Sequence, residues 1–135
     1  MQITEVCLRS EAGLRDADGD SPDWIELYNA GTESVSLDGW YLSDDPEEPA
    51  RWRIPDITLA PGEYCIIFAS GKNRTQGELH TDFALSAGES VILTTPIGST
   101  ADRVELTPTE PDASLARIGS DWRECASPTP GKANG

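Results

Sequence analysis

The sequence predicts an all-β fold, an antiparallel sandwich or barrel of about nine short strands. Three observations predict it. Apolar and polar residues alternate at period two in short runs, as where Ile25 and Leu27 oppose Trp24, Glu26 and Tyr28. Turn residues recur at roughly 8–12-residue spacing. No window carries the i, i+3, i+4, i+7 apolar stripe of an amphipathic helix.

Taken in order, Ile3 to Leu8 opens the fold, and an Asp-rich loop leads to Trp24–Asn29, around which the rest is organised. Asn29-Ala30-Gly31 closes that strand. Val35 to Leu37 ends at an Asp38-Gly39 turn, and Trp40 to Ser43 runs into the breaker Asp44-Asp45-Pro46. Arg51 to Ile54 alternates and stops at Pro55. Pro61-Gly62 signals a type II turn, with proline setting φ and glycine accepting a positive φ. It launches Tyr64 to Ala69, the most apolar strand and the expected sheet centre. After a polar loop, Leu79, Thr81, Phe83 and Leu85 alternate with His80, Asp82 and Ala84. Val91 to Thr94, Arg103 to Thr107 and Ser114 to Ile118 complete the strands, followed by Trp122. Residues 1–126 therefore read as one domain, and the Pro/Gly-rich stretch 127–135 as a C-terminal tail or linker.

A chain of 135 residues with 37% hydrophobic content buries one core without needing metal or disulfide staples. Neither a signal peptide nor a membrane span is expected, although a module cut from a longer secreted protein reads the same way. Lys plus Arg is 10 against Asp plus Glu at 24, a net charge of −14. Such a surface repels phosphate backbones, which excludes nucleic acid and anionic membrane as expected partners. The acidity reads as cation binding on one account and as solubility or high-salt adaptation on the other.

Cys7, Cys65 and Cys125 form no C-x-x-C pair, and the single histidine, His80, is adjacent to none of them, so a zinc site is not expected. Cys65 reads as a buried thiol. Cys7 and Cys125 lie near opposite ends of the chain, where terminal strands often run side by side, and are candidates for a disulfide.

The acidic loop Asp16-Ala17-Asp18-Gly19-Asp20-Ser21-Pro22-Asp23 is the leading candidate site. Carboxylates at alternate positions converge on a hard cation, and calcium takes six to eight oxygens, so Asp16, Asp18, Asp20 and Asp23 are the expected ligands. An EF-hand is excluded because a strand follows where a helix belongs. The competing reading is a solvated, self-bonded Asx turn, favoured by the incomplete ligand set. Asp44, Asp45, Glu47 and Glu48 form a second cluster that reads as exposed turn formers. His80 suggests a triad with Ser86 or Asp82, but alternation places it outward and no nucleophile elbow is present, so it reads as a lone surface histidine. Trp40 and Trp52 are expected in the core. Trp24 and Tyr28, sharing a face with Glu26, are the candidate binding patch.

These motifs together resemble the lamin tail domain. The resemblance rests on Asp23-Trp24-Ile25-Glu26-Leu27-Tyr28-Asn29, Leu37-Asp38-Gly39-Trp40-Tyr41-Leu42-Ser43-Asp44-Asp45, Trp52-Arg53-Ile54-Pro55 and Leu59-Ala60-Pro61-Gly62-Glu63-Tyr64. It continues through Phe68-Ala69-Ser70, the stretch from Leu79 to Ser86, Gly88-Glu89-Ser90-Val91-Ile92-Leu93, and Pro128 to Asn134. It covers nearly the whole chain and looks like the bacterial or archaeal branch, since the coiled-coil rod of a nuclear lamin is absent from this sequence. The resemblance implies an immunoglobulin-like β-sandwich without shared catalytic residues. It also implies an accessory module of a larger extracellular or cell-surface protein, monomeric in isolation. Such a module meets a protein or polysaccharide partner through surface loops and carries no catalytic cofactor. The alternative is a calcium-dependent binding domain, or a small hydrolase, using loop 16–23.

Overall fold

A computed structural model describes residues 1–134. The period-two runs form eleven strands: β1 (Gln2–Cys7), β2 (Asp23–Tyr28), β3 (Val35–Ser36), β4 (Tyr41–Ser43), β5 (Trp52–Arg53), β6 (Thr58–Leu59), β7 (Tyr64–Ala69), β8 (Ser90–Thr94), β9 (Thr100–Glu105), β10 (Ser114–Ile118) and β11 (Asp121–Cys125). They pair antiparallel in sheets ordered β11-β10-β1-β2-β7, β5-β4-β8-β9 and β3-β6. The all-β reading holds, with eleven strands where about nine were expected. β6 is only two residues long, and β11 is charged and largely exposed, so neither shows apolar alternation. The stretch Leu79–Leu85 forms no ladder. His80 makes single bridges to Phe68 and Arg74, and Leu79, Phe83 and Leu85 are nevertheless buried.

The two larger sheets enclose one core. Ile3, Val6, Ile25, Leu27, Ile67 and Leu115 from the first meet Leu42, Trp52, Val91, Leu93 and Val104 from the second. Trp52 is buried as expected, whereas Trp40 is half-buried against the core's margin. A bulge at Thr4 shifts the β1–β2 register between Ile3 and Glu5. That extra residue lets both Ile3 and Val6 reach the core while Glu5 lies opposite Glu26 on the other face.

This outer face is also buried. Cys7, Trp24 and Phe68 form a second apolar cluster there, flanked by Leu14 and Ile66. β7 was expected at the sheet centre but lies at its edge. Its apolar run instead reflects the covering of both faces, by the main core at Ile67 and Ala69 and by the second cluster at Phe68 and Ile66.

Asn29 ends β2 and ties three segments together. Its amide donates to the carbonyls of Glu33 and Leu59 at 2.8 and 2.9 Å, and its Oδ1 accepts from the Gly31 amide at 3.0 Å. Its backbone brackets the Pro61-Gly62 turn, donating to Glu63 and accepting from Gly62. Gly62 has φ 82°, as the type II turn requires.

The stretch 127–135 that reads as a tail or linker folds back on the outer face as far as Asn134; Gly135 lies outside the described residues. Thr129 donates its amide and hydroxyl to Glu5, and the Gly131 amide donates to Glu26 Oε2 at 2.7 Å. Asn134 donates to the carbonyls of Thr4 and Arg117. Thr4 donates its hydroxyl to Glu26 Oε1, and Ser114 donates to Glu5 Oε2. Composition alone reads as mobile, but two buried carboxylates supply acceptors that these donors satisfy.

Burial pushes the Glu26 carboxyl up to about 7, and the neighbouring Glu5 adds to the effect. The folded domain therefore holds a proton between pH 4.5 and about 7 that the unfolded chain releases. Stability from this group is greatest below 4.5 and falls as pH rises to about 7. Glu26→Gln should remove that slope, gaining on the order of 2–3 kcal/mol on the native protein between pH 4.5 and 8 in urea denaturation. Asn29→Ala strands buried carbonyls and should cost about 2 kcal/mol in the same assay, against less than about 0.5 for exposed Glu33→Ala.

Candidate functional site

Asp16, Asp18 and Asp20 do converge, with carboxylate oxygens within 4.8 Å of one another. The loop is held by its own first residue: Asp16 Oδ1 accepts from the amides of Asp18 and Asp20, and Gly19 turns at φ 86°. What faces the three carboxylates is the Lys72 ammonium, 2.5, 3.0 and 2.8 Å from Asp16, Asp18 and Asp20. Three N–H donors meet three acceptors where one of the two sequence readings placed a divalent cation. Arg74 adds a bond to Asp18 at 2.7 Å. Asp23, the fourth expected ligand, is elsewhere. It accepts from the amides of Ser10 and Leu85 and staples two loops, and burial raises its carboxyl.

The electrostatics follow from these contacts. Arg74 and Lys72 hold the Asp18 carboxyl down to about 2. Burial pushes Asp16 up, but the Lys72 ammonium and the loop amides outweigh it and its carboxyl lies low. The three carboxylates raise the Lys72 ammonium well above its ordinary value. Nothing in the sequence links Lys72 to a loop more than fifty residues away; its being one of two lysines is the sole hint.

His80 is not on the surface. It is fully buried, stacked on Phe68 at 5.2 Å, with Nδ1 2.8 Å from Ser70 Oγ and Nε2 2.9 Å from Glu78 Oε1. Its partners are therefore neither Ser86 nor Asp82. Alternation failed because this segment pairs by single bridges and does not run as a strand. A hydroxyl, an imidazole and a carboxylate in a row have the composition of a triad, but the Ser70 oxygen accepts the Lys72 amide at 3.1 Å. Glu78 Oε1 likewise accepts the Ala17 amide at 2.9 Å. The row joins the acidic loop to the turn after β7, and its ring is covered by Phe68. Asp44 and Asp45 form a turn but are not exposed as read: Asp44 is buried in an ion pair with Arg51, and half-buried Asp45 accepts from the Glu47 amide.

The expected Trp24–Tyr28 patch does not form. Trp24 is 1% exposed within the second apolar cluster. Tyr28 instead stacks on Tyr64 across the β2–β7 pair, ring centroids 4.5 Å apart at 28°. Tyr64 belongs to the aromatic set the sequence offers, but its pairing with Tyr28 could not be read there because cross-strand register is invisible to local pattern. The two tyrosines line a groove of about 310 Å³ with Gln2, Arg117, Ile118 and Asn134. A second, mostly apolar concavity of about 400 Å³ lies between Cys7, Leu14, Trp24, Pro128 and Pro130.

The expected Cys7–Cys125 bond is absent, and all three thiols are free. β10 runs between β1 and β11, so the two cysteines stand roughly 10 Å apart across two strand spacings, beyond the reach of about 7 Å for a disulfide. Burial pushes the Cys7 and Cys65 thiols up to about 11.

Lys72→Met leaves three like charges converging and should lower the thermal midpoint at pH 7. The contribution held by Asp18 is complete above its ordinary value of 3.8 and lost as pH falls to about 2, so the difference from the native protein should close over that interval. Millimolar calcium should raise the midpoint of Lys72→Met and leave the native protein unmoved, read by calorimetry with and without chelator.

The match to known families covers β1 to β9 and the loops that position these groups. A family model described as Lamin Tail Domain matches residues 2–108, ending just before β10. No curated protein matches the chain. With the match spanning most of its length, the chain belongs to the lamin tail domain family.

Proposed function

We propose that this domain is a non-catalytic interaction module of a larger secreted or cell-surface protein, and that the Tyr28–Tyr64 groove meets its partner, a protein or a polysaccharide. The carrying observation is the stacked tyrosine pair, half-buried in a groove that Gln2 also lines. The Arg117 guanidinium and the Asn134 amide form its wall while they donate to Asp102 and to the Thr4 and Arg117 carbonyls. Aromatic faces with a few polar groups suit the apolar faces of sugars and extended peptides alike. The reactive side chains support the same reading. His80, Ser70 and Glu78 are engaged with one another, and the acidic loop is engaged with Lys72 and Arg74. A net charge of −14 disfavours nucleic acid.

Chemical-shift mapping against a panel of soluble polysaccharide fragments and matrix-protein peptides tests this. Perturbations should cluster at Gln2, Tyr28, Tyr64 and Ile118, Tyr64→Ala should weaken binding about tenfold or more, and no polymer should be cleaved. Perturbations confined to the acidic loop, or cleavage of any panel member, would overturn it.

A further inference from the structure

We infer that the outer edge of β7 is a docking edge for strand addition, and that its occupant is an extended, basic segment of a partner protein. Phe68 donates to the Leu79 carbonyl at 2.9 Å and accepts from the Thr81 amide at 2.8 Å, both on the side away from β2. Every second residue of a strand repeats that direction, so the N–H and C=O of Tyr64 and Ile66 point the same way. Among the described residues no donor or acceptor pairs with them, apart from a long 4.0 Å approach of the Cys65 thiol to the Ile66 carbonyl. Tyr64, Cys65 and Ile66 are partly exposed. The chain itself thus occupies one end of this edge, at Phe68, and leaves two pairing positions open beside it.

The other edges of the larger sheets are guarded. β11 carries Asp121, Arg123 and Glu124, β9 carries Asp102, Arg103 and Glu105, and β5 is two residues long with Arg53. Charges and shortness are how native sheets discourage pairing. β7 has neither: Tyr64-Cys65-Ile66-Ile67-Phe68-Ala69 is uncharged and of high β propensity. Charge selects the occupant. Exposed Glu63 opens β7, and exposed Glu33 is tied by its carbonyl to Asn29 at the adjoining end of β2. A second copy would bring a chain of net charge −14 and its own Glu63 to the same edge, whereas lysine or arginine alternating with β-branched residues supplies both the ladder and the countercharge.

This inference deepens the interaction-module reading, and its test separates the two. The probe is a blocked seven-residue peptide alternating lysine and valine, with a glutamate-for-lysine peptide as control. Residue-resolved hydrogen exchange on the full chain at low salt should show the Tyr64 and Ile66 amides slowed at least tenfold by the basic peptide. Those of Cys65 and Ile67, already paired to β2, should hardly change. Ile66→Pro removes an outward donor at an edge position that tolerates proline and should weaken the peptide at least tenfold. If that variant fails to fold, the exchange pattern alone decides. Equal affinity for the acidic peptide, equal affinity for a folded Ile66→Pro, or slowing only at other amides would overturn the inference. Slowing at Tyr64 and Ile66 without peptide, at the sedimentation mass of two chains, would make the occupant a second copy and overturn it too. Polymer binding in the groove with these amides unprotected would remove the edge and leave the module reading standing.

Discussion

Glu5 and Glu26 lie directly opposite one another on adjacent strands, both fully buried, on the face of the five-stranded sheet that points away from the main core. Like charges in that relation repel, and burial compounds the cost. The chain answers with hydroxyls from Thr4, Ser114 and Thr129 and amides from Thr129 and Gly131. Much else depends on this arrangement. It fixes the C-terminal stretch across the sheet, and that stretch brings Pro128 and Pro130 over Trp24. The bulge at Thr4 makes the arrangement possible, since without it Glu5 and Val6 would exchange faces.

A similar economy governs the acidic surface. An excess of carboxylates does not make a cation site when the fold brings its own cations to them. Lys72 and Arg74 come from the turn after β7, and that turn is held in place by the Ser70–His80–Glu78 row and by Trp52 donating to Asn73 at 3.0 Å. Ion pairs on an exposed surface contribute little, but Asp16 is buried. An unpaired carboxylate there is costly, so the lysine is bound to the folding of the loop itself.

On the proposed reading, partner binding falls to what these internal pairings do not consume. Among the described residues these include one aromatic and polar concavity, one apolar concavity, and the uncharged edge of β7 that adjoins the aromatic groove through Tyr64. The lamin tail family supplies the scaffold. A sandwich of this kind presents surfaces while its reactive groups serve as internal fastenings.

The sequence by itself determined the fold class, most of the strands, the Pro61-Gly62 turn and core positions such as Ile25, Leu27 and Trp52, because period-two alternation and turn chemistry are local properties. It also raised convergence of the loop carboxylates as one of two readings; Asp16, Asp18 and Asp20 do converge, whereas Asp23 staples other loops. Only the tertiary structure decided that Lys72 sits among them, that His80 is buried between Ser70 and Glu78, that Tyr28 pairs with Tyr64 and not with Trp24, and that Cys7 and Cys125 are kept apart. Each of these depends on which strands are neighbours and in what register. That choice is made by burying both faces of β1 and β2 at once, a condition no single segment carries in its own pattern.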